Sequence, residues 1–136
     1  MSINEIQDEI IEEFAFFDDW MEKYEYIIDL GKNLPLIDAQ YKDATHLIKG
    51  CQSQVWLHAD NQGDKIDFTA DSDAIITKGI IALLVRVLSG QPAEAIANAD
   101  LYFINKIGLK EHLSPTRSNG LVSMVKQMKL YGVALA

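Results

Sequence analysis

The spacing of the apolar residues changes twice along this chain, and that change constrains its fold more than any other feature. Near the N-terminus apolar residues recur every three or four positions, which is the spacing of an amphipathic helix. Between residues 55 and 69 they alternate with polar residues, as in a strand with one buried face. The helical spacing returns from Ile75 onwards. The sequence therefore predicts an α+β domain, in which helices pack on a small antiparallel sheet of about three strands.

The alternating segment is typical of a β-hairpin. Val55 and Leu57 would share one face of its first strand, and Phe68 would lie on the second strand. Gly63 lies in the polar turn between them, where a glycine is often required. Leu47–Ile48 is the candidate for a third strand, because antiparallel neighbours need only short connections.

Capping patterns indicate where the helices begin and end. Ser2 and Glu5 have the spacing of a capping box. Asp18 or Asp19 is placed to cap a second helix, and Gly31 is placed to end it.

The second half of the chain is predicted to be helical. Asp71 and Asp73 are candidate caps for a strongly apolar helix that extends to residue 88. Pro92 is expected at the first position of the next helix. Ser114 is expected to cap the last helix, with Pro115 in its first turn.

The charge of the chain is concentrated at one end. Residues 1–30 carry a formal charge of −9, whereas residues 31–136 carry +1. This distribution argues against nucleic-acid binding, which needs a basic surface. The longest apolar run covers only residues 80–85, far short of the roughly 20 residues that span a bilayer. With an acidic start and no apolar leader, we expect one cytoplasmic domain, residues 1–136, that binds neither nucleic acid nor membranes.

Cys51 is the only cysteine in the chain. A single thiol cannot form an internal disulfide, nor can it hold a tetrahedral zinc or an iron–sulfur cluster alone. It can be a nucleophile: Gly50 suits a sharp turn, and Lys49 would favour the thiolate. A purely structural interpretation stays open, because free cysteines often act as small buried hydrophobes.

The segment around Cys51 resembles the central motif of the SufE family. The matching string is Gly-Cys-Gln-Ser-Gln-Val-Trp at residues 50–56. Three further segments resemble the family in the same order: 20–31, 71–79 and 112–121. The matches extend from about residue 14 to about residue 129, whereas the first residues and the hairpin tip match poorly.

SufE proteins are sulfur acceptors that work with cysteine desulfurases in iron–sulfur cluster assembly. The resemblance implies that Cys51 takes sulfane sulfur from the persulfide of a pyridoxal-phosphate-dependent, SufS-like desulfurase, stimulates that enzyme and passes the sulfur to a downstream cluster scaffold. It implies no metal or cofactor bound by this chain, and a fold shared with IscU-type scaffolds. It also implies that the resting cysteine is sheltered by apolar side chains, for which Leu47, Ile48 and Val55 are the candidates.

Arg117 is the second residue for which the resemblance implies a role. We expect it in the first turn of the last helix, where free N–H groups and a guanidinium would favour an anionic sulfur. The plainer interpretation is a surface ion pair. The other candidates for supporting the cysteine or binding the partner are Gly50, Gln52, Ser53, Asp73 and Asn119.

Several other functions are compatible with parts of the sequence. The chain could be the related carrier that serves a different desulfurase, or a non-catalytic module that activates a desulfurase while Cys51 stays inert. An IscU-type scaffold needs three cysteine ligands, and this chain has one. A cysteine hydrolase is disfavoured because neither His46 nor His58 comes with a recognisable partner motif, and the histidines show no metal-binding spacing.

Overall fold

The computed structural model describes residues 1–136 as seven α-helices packed on a three-stranded antiparallel sheet, which confirms the predicted α+β class. The strands, in the order β1-β2-β3 across the sheet, are β1 (Val55–Gln62), β2 (Lys65–Ser72) and β3 (Gln91–Pro92). The helices are α1 (Ile3–Ala15), α2 (Trp20–Lys32), α3 (Ile75–Leu88), α4 (Ala93–Ala97), α5 (Phe103–Lys106), α6 (Leu109–His112) and α7 (Pro115–Ala134), and a 3-10 turn lies at Ala39–Tyr41.

The predicted hairpin is confirmed. Strands β1 and β2 pair in register from Val55 opposite Ser72 to Gln62 opposite Lys65. Gly63 follows with φ +74°, a left-handed conformation that glycine adopts without steric cost. The face of the hairpin that enters the core consists of Val55, Leu57, Ile66, Phe68 and Ala70.

The third strand is not where the sequence predicted it. Strand β3 pairs with the start of β2 through Ile66 and Gln91. Leu47 forms only an isolated antiparallel bridge to Trp56, so Leu47–Ile48 does not extend into a strand. Pro92 ends β3 and is the N-cap of α4 rather than its first helical residue. A strand of two residues has no alternating pattern, and for this reason it could not be recognised in the sequence.

The capping predictions for the first two helices are confirmed at their N-termini. Ser2 and Glu5 exchange both bonds of the capping box, and Asp19 accepts a hydrogen bond from the N–H of Glu22. The prediction for Gly31 was wrong, because this residue lies inside α2 and is buried there. A Cβ on Gly31 would lie 3.0 Å from the backbone nitrogen of Gly79 on α3. The glycine is therefore needed for close packing of two helices and not for ending one.

Helix α3 is the centre of the fold. It contacts α1, α2, α7 and β2, and ten of its 14 residues are buried. Leu84 and Ile81 are fully buried. None of the seven helices combines the length and the apolar character that a membrane span requires.

Candidate functional site

The loop that carries Cys51, residues 49–54, is closed at its base by backbone hydrogen bonds. The N–H of Ile48 donates to the carbonyl of Val55 at 2.8 Å, and the N–H of Leu57 donates to the carbonyl of His46 at 2.9 Å. Gly50 has φ +91°, as the predicted sharp turn requires. A Cβ at this position would also collide with the hydroxyl of Ser123 on α7.

Asp73 holds the other end of the loop. Its carboxylate accepts a hydrogen bond from the N–H of Gln54 at 3.0 Å, and its own N–H donates to the carbonyl of Gln54 at 3.2 Å. The hydroxyl of Ser72 donates to the same carbonyl at 2.8 Å. The prediction that Asp71 or Asp73 caps the following helix was wrong: Ala74 is the N-cap of α3, and no side chain caps it. The end of β2 thus fixes the point where the cysteine loop enters β1.

Cys51 is half-buried and lies against the N-terminal part of α7. Its S–H donates to the carbonyl of Gly120, with the sulfur 3.6 Å from the oxygen. A Cβ on Gly120 would lie 3.5 Å from the same sulfur, which is an ordinary van der Waals contact, so the thiol lies directly against this part of α7. Burial raises the pKa of the Cys51 thiol above its ordinary value. The expectation that Lys49 favours the thiolate therefore fails in this state, since burial sets the direction of the shift.

The thiol opens into a cavity of about 300 Å³. It is formed where the cysteine loop meets the first turns of α3 and α7. Its lining consists of Cys51, Gln52, Ser53, Thr77, Ile80, Ser114, Thr116, Arg117, Gly120 and Met124.

Four of the residues proposed from the sequence meet at this cavity: Cys51, Gln52, Ser53 and Arg117. The others lie elsewhere. Gly50 forms the turn of the cysteine loop against α7, and Asp73 accepts a hydrogen bond at the end of that loop. Asn119 is exposed on α7 and does not line the cavity.

The apolar shelter of Cys51 differs from the one predicted. Ile80 of α3 and Met124 of α7 line the cavity. Leu47 and Ile48 line a different cavity, and Val55 is buried in the core. Leu47, Ile48 and Val55 are near Cys51 in the chain, but the thiol lies against helices that are distant in sequence.

Arg117 lies in the first turn of α7, as predicted. Ser114 caps this helix, its hydroxyl accepting the N–H of Arg117 at 3.3 Å, and Pro115 occupies the first turn. The Arg117 side chain is exposed at the edge of the cavity and forms no ion pair within the chain. The plainer interpretation of Arg117 as a surface ion pair therefore has no support in the structure.

Thr77 lines the cavity but was not among the residues predicted from the sequence. The signal was present: Thr77 lies three and seven residues before Ile80 and Leu84, so it is a polar residue on the buried stripe of an apolar helix. The hydroxyls of Ser114 and Thr116 were also missed as parts of the site, because their positions in the chain suggest only the start of a helix.

The cavity contains no second thiol, no histidine and no carboxylate. His46 and His58 contact each other at 3.1 Å and bond Asp43 and Asp60, away from the cavity lining. Cys51 thus lacks the adjacent base that a cysteine hydrolase needs. No group of three or more potential ligands is arranged to hold a metal ion.

Comparisons with known proteins agree with this arrangement. The profile of the SufE family, described as an Fe–S metabolism associated domain, matches residues 8–131. An uncharacterised SufE-like protein of Rhizobium etli is 45% identical over 127 residues, which cover 90% of this chain and 86% of the relative. A second uncharacterised SufE-like protein, from Rhizobium meliloti, is 43% identical over 127 residues, 90% of this chain and 91% of the relative.

Two further proteins extend the comparison. SufE-like protein 1, chloroplastic/mitochondrial, of Arabidopsis thaliana is 40% identical over 122 residues, which are 89% of this chain but only 33% of that protein. The solution structure of a hypothetical protein from Thermus thermophilus superposes with a TM-score of 0.79 at 20% identity, covering 96% of this chain and 95% of the other. At this level of identity, the similarity supports a shared fold and nothing about function. The family profile and the close relatives together establish that this chain belongs to the SufE family, whose domain is associated with Fe–S metabolism.

Proposed function

We propose that this protein accepts sulfane sulfur from a cysteine desulfurase onto Cys51, stimulates that enzyme, and passes the sulfur to a scaffold for iron–sulfur cluster assembly. The partner is a pyridoxal-phosphate-dependent enzyme of the SufS type. The proposal includes a cytoplasmic location, although a plant relative is named for chloroplasts and mitochondria.

The observation that carries the proposal is the position of the single thiol. Cys51 lies on a short loop between a glycine turn and β1. It opens into a cavity whose lining includes the cationic Arg117 and several hydroxyl side chains but no second thiol. A carrier needs one accessible sulfur and no resolving cysteine, because a second thiol would discharge a persulfide as a disulfide. This chain has one cysteine, which is half-buried and lines the cavity, and it has no second thiol that could resolve a persulfide.

The transfer step needs no external oxidant. The Cys51 sulfur attacks the outer sulfur of the donor's persulfide, forms a new S–S bond, and breaks the S–S bond to the donor's cysteine. The proton of the Cys51 thiol ends on the departing donor thiolate, so a thiol and a persulfide have exchanged places. Burial raises the pKa of the Cys51 thiol in the free protein. The proposal therefore includes that docking to the desulfurase exposes the thiol and favours its deprotonation.

Mass spectrometry of the intact protein tests the proposal. After incubation with a SufS-type desulfurase and free cysteine, we expect mass increases of roughly 32 Da per added sulfur that a reductant removes. Cys51→Ser is the matched control and should gain no mass. An unchanged wild-type mass with each desulfurase tested, or labelling that persists in Cys51→Ser, would overturn the carrier function.

The raised pKa and half-burial of Cys51 favour one alternative, a module that activates a desulfurase while its cysteine stays inert. The same variant separates the two. An inert-cysteine activator keeps its stimulation of the desulfurase in Cys51→Ser, whereas a carrier loses it. Parallel assays with two desulfurase types then decide whether the chain is the related carrier for a different enzyme.

A further inference from the structure

Thr77 is the only buried residue with a polar side chain, other than the half-buried Cys51 and Ser53, in the lining of the Cys51 cavity. The residue is only 6% exposed, yet its hydroxyl forms no hydrogen bond within the protein. Every side-chain oxygen and nitrogen that is sealed from solvent has a partner in this structure, so the unpartnered Thr77 oxygen is reachable by solvent, and its residue lines the cavity. The hydroxyl is therefore free to donate a hydrogen bond to a group that enters the cavity.

Two helix N-termini meet at the same cavity. Thr77 lies in the first turn of α3, a 14-residue helix whose N-terminus no side chain caps. Ser114, Thr116 and Arg117 bring the first turn of α7, a 20-residue helix, to the other side. The N-terminal end of a helix carries partial positive charge and favours an anion. Because Arg117 adds a full positive charge at the edge of the cavity, the electrostatic environment of the cavity favours a negatively charged group.

The Cys51 sulfur itself does not occupy that environment. It faces the carbonyl of Gly120, a hydrogen-bond acceptor that favours the protonated thiol over the thiolate. In a persulfide, the outer sulfur lies about 2 Å beyond the inner one. The cavity has ample room for it, since 300 Å³ is far more than the roughly 30 Å³ that a water molecule takes in the liquid.

We propose, building on the proposed carrier function, that Thr77 binds the outer sulfur of the Cys51 persulfide by donating a hydrogen bond to its anionic form. The hydroxyl keeps the outer sulfur anionic and holds it inside the cavity, between the two helix N-termini. The environment thus disfavours charge on the empty carrier and favours it on the loaded one.

Three variants of this residue separate the hydroxyl from the packing. Thr77→Val removes the hydroxyl at nearly constant volume, whereas Thr77→Ser and Thr77→Ala both remove the methyl group and differ only in the hydroxyl. Each protein is loaded with inorganic polysulfide, which needs no desulfurase, and the excess is removed. The rate at which iodoacetamide alkylates the outer sulfur is then followed by mass spectrometry as a function of pH. Thermal melting of each variant is recorded beside it.

We expect the midpoint of the alkylation profile to lie about one pH unit higher in Thr77→Val and Thr77→Ala than in the wild type, because one hydrogen bond to a charged group changes an equilibrium about tenfold. Thr77→Ser should stay close to the wild type. Should Thr77→Val fail to fold, the serine and alanine pair decides.

Unchanged profiles in the variants without a hydroxyl would overturn the proposal, as would a shift in Thr77→Ser as large as that in Thr77→Ala. The proposed carrier function fails separately, if the wild type takes sulfur from polysulfide but never from a desulfurase. In that case the alkylation profiles still decide whether Thr77 binds the sulfur.

Discussion

Helices α3 and α7 both begin at the Cys51 cavity, but they contribute to the molecule in different ways. Ten of the 14 residues of α3 are buried, whereas only five of the 20 residues of α7 are. Helix α3 supplies the buried wall of the cavity, and the first turn of α7 supplies its exposed cationic edge. The comparison indicates that α3 mainly stabilises the fold, with Thr77 as its polar contribution to the proposed sulfur site, whereas the exposed first turn of α7 can be changed with little effect on stability.

The largest expected effect on stability is in the core of α3. Leu84 is fully buried. Leu84→Ala should lower the free energy of unfolding by about 3 kcal/mol, because it removes buried methyl groups and leaves a cavity. Denaturant unfolding measures this loss, and the sulfur accepted per folded molecule should not change. A loss below about 1 kcal/mol would contradict the central position of α3.

Two helix glycines offer a sharper test, since the same substitution should have opposite effects. A Cβ on Gly79 of α3 would lie 2.8 Å from the carbonyl carbon of Ile27, a backbone atom that cannot move alone. Gly79→Ala should therefore destabilise the protein by about 2 kcal/mol. On Gly120 of α7 the nearest atom would be 3.5 Å away, which is an ordinary contact.

Gly120→Ala should thus keep or raise stability, by up to about 1 kcal/mol, because alanine favours the helix. Melting temperatures of the two variants decide the comparison. Equal destabilisation by both would show that the two helices are equally tightly packed.

Arg117→Ala should change stability by no more than about 0.5 kcal/mol, since the side chain is exposed and forms no ion pair. Sulfur transfer to Cys51 should nevertheless be slower, because a fixed positive charge at the cavity is lost. Arg117→Lys should recover only part of the rate, since an ammonium keeps the charge but not the planar fork. Wild-type transfer by Arg117→Ala would show that the residue has no part in the reaction, and a large fall in melting temperature would show that its role is structural.

The smallest effect concerns the protonation of Cys51. Burial raises its pKa above the ordinary value of 9.0. Alkylation of the folded protein should therefore reach its half-maximal rate at a higher pH than alkylation of the chain unfolded in urea, because the thiolate is the nucleophile. The stability that the neutral thiol contributes is fully present below pH 9.0 and is lost as pH rises through the raised folded value. Cys51→Ser should not lose stability in this alkaline range. Identical alkylation profiles in the folded and unfolded chains would contradict the raised pKa of Cys51.

The sequence predicted those parts of the fold that depend on local patterns. The hairpin, the capping box at Ser2 and the start of α7 at Ser114 each follow from spacing or capping chemistry within a few residues. Strand β3 and the packing role of Gly31 depend on partners far away in the chain, and no local pattern encodes them.

The same distinction applies to the site. The motif around Cys51 and the position of Arg117 could be read from the chain, and the structure brings both residues to one cavity. Thr77 and Met124 join them only because α3 and α7 converge, which is a consequence of tertiary packing. The direction in which the pKa of Cys51 shifts could not be predicted either, because burial and not the neighbouring Lys49 determines it.

A single-turnover transfer experiment tests the central claim most directly. A desulfurase is charged with one persulfide, freed of cysteine and mixed with an equal amount of this protein, and the peptide that contains Cys51 is sequenced by fragmentation mass spectrometry. We expect sulfur lost from the desulfurase to be recovered, mole for mole, on Cys51. A desulfurase that gives up its sulfur in the presence of this protein while the Cys51 peptide remains unmodified would contradict the account.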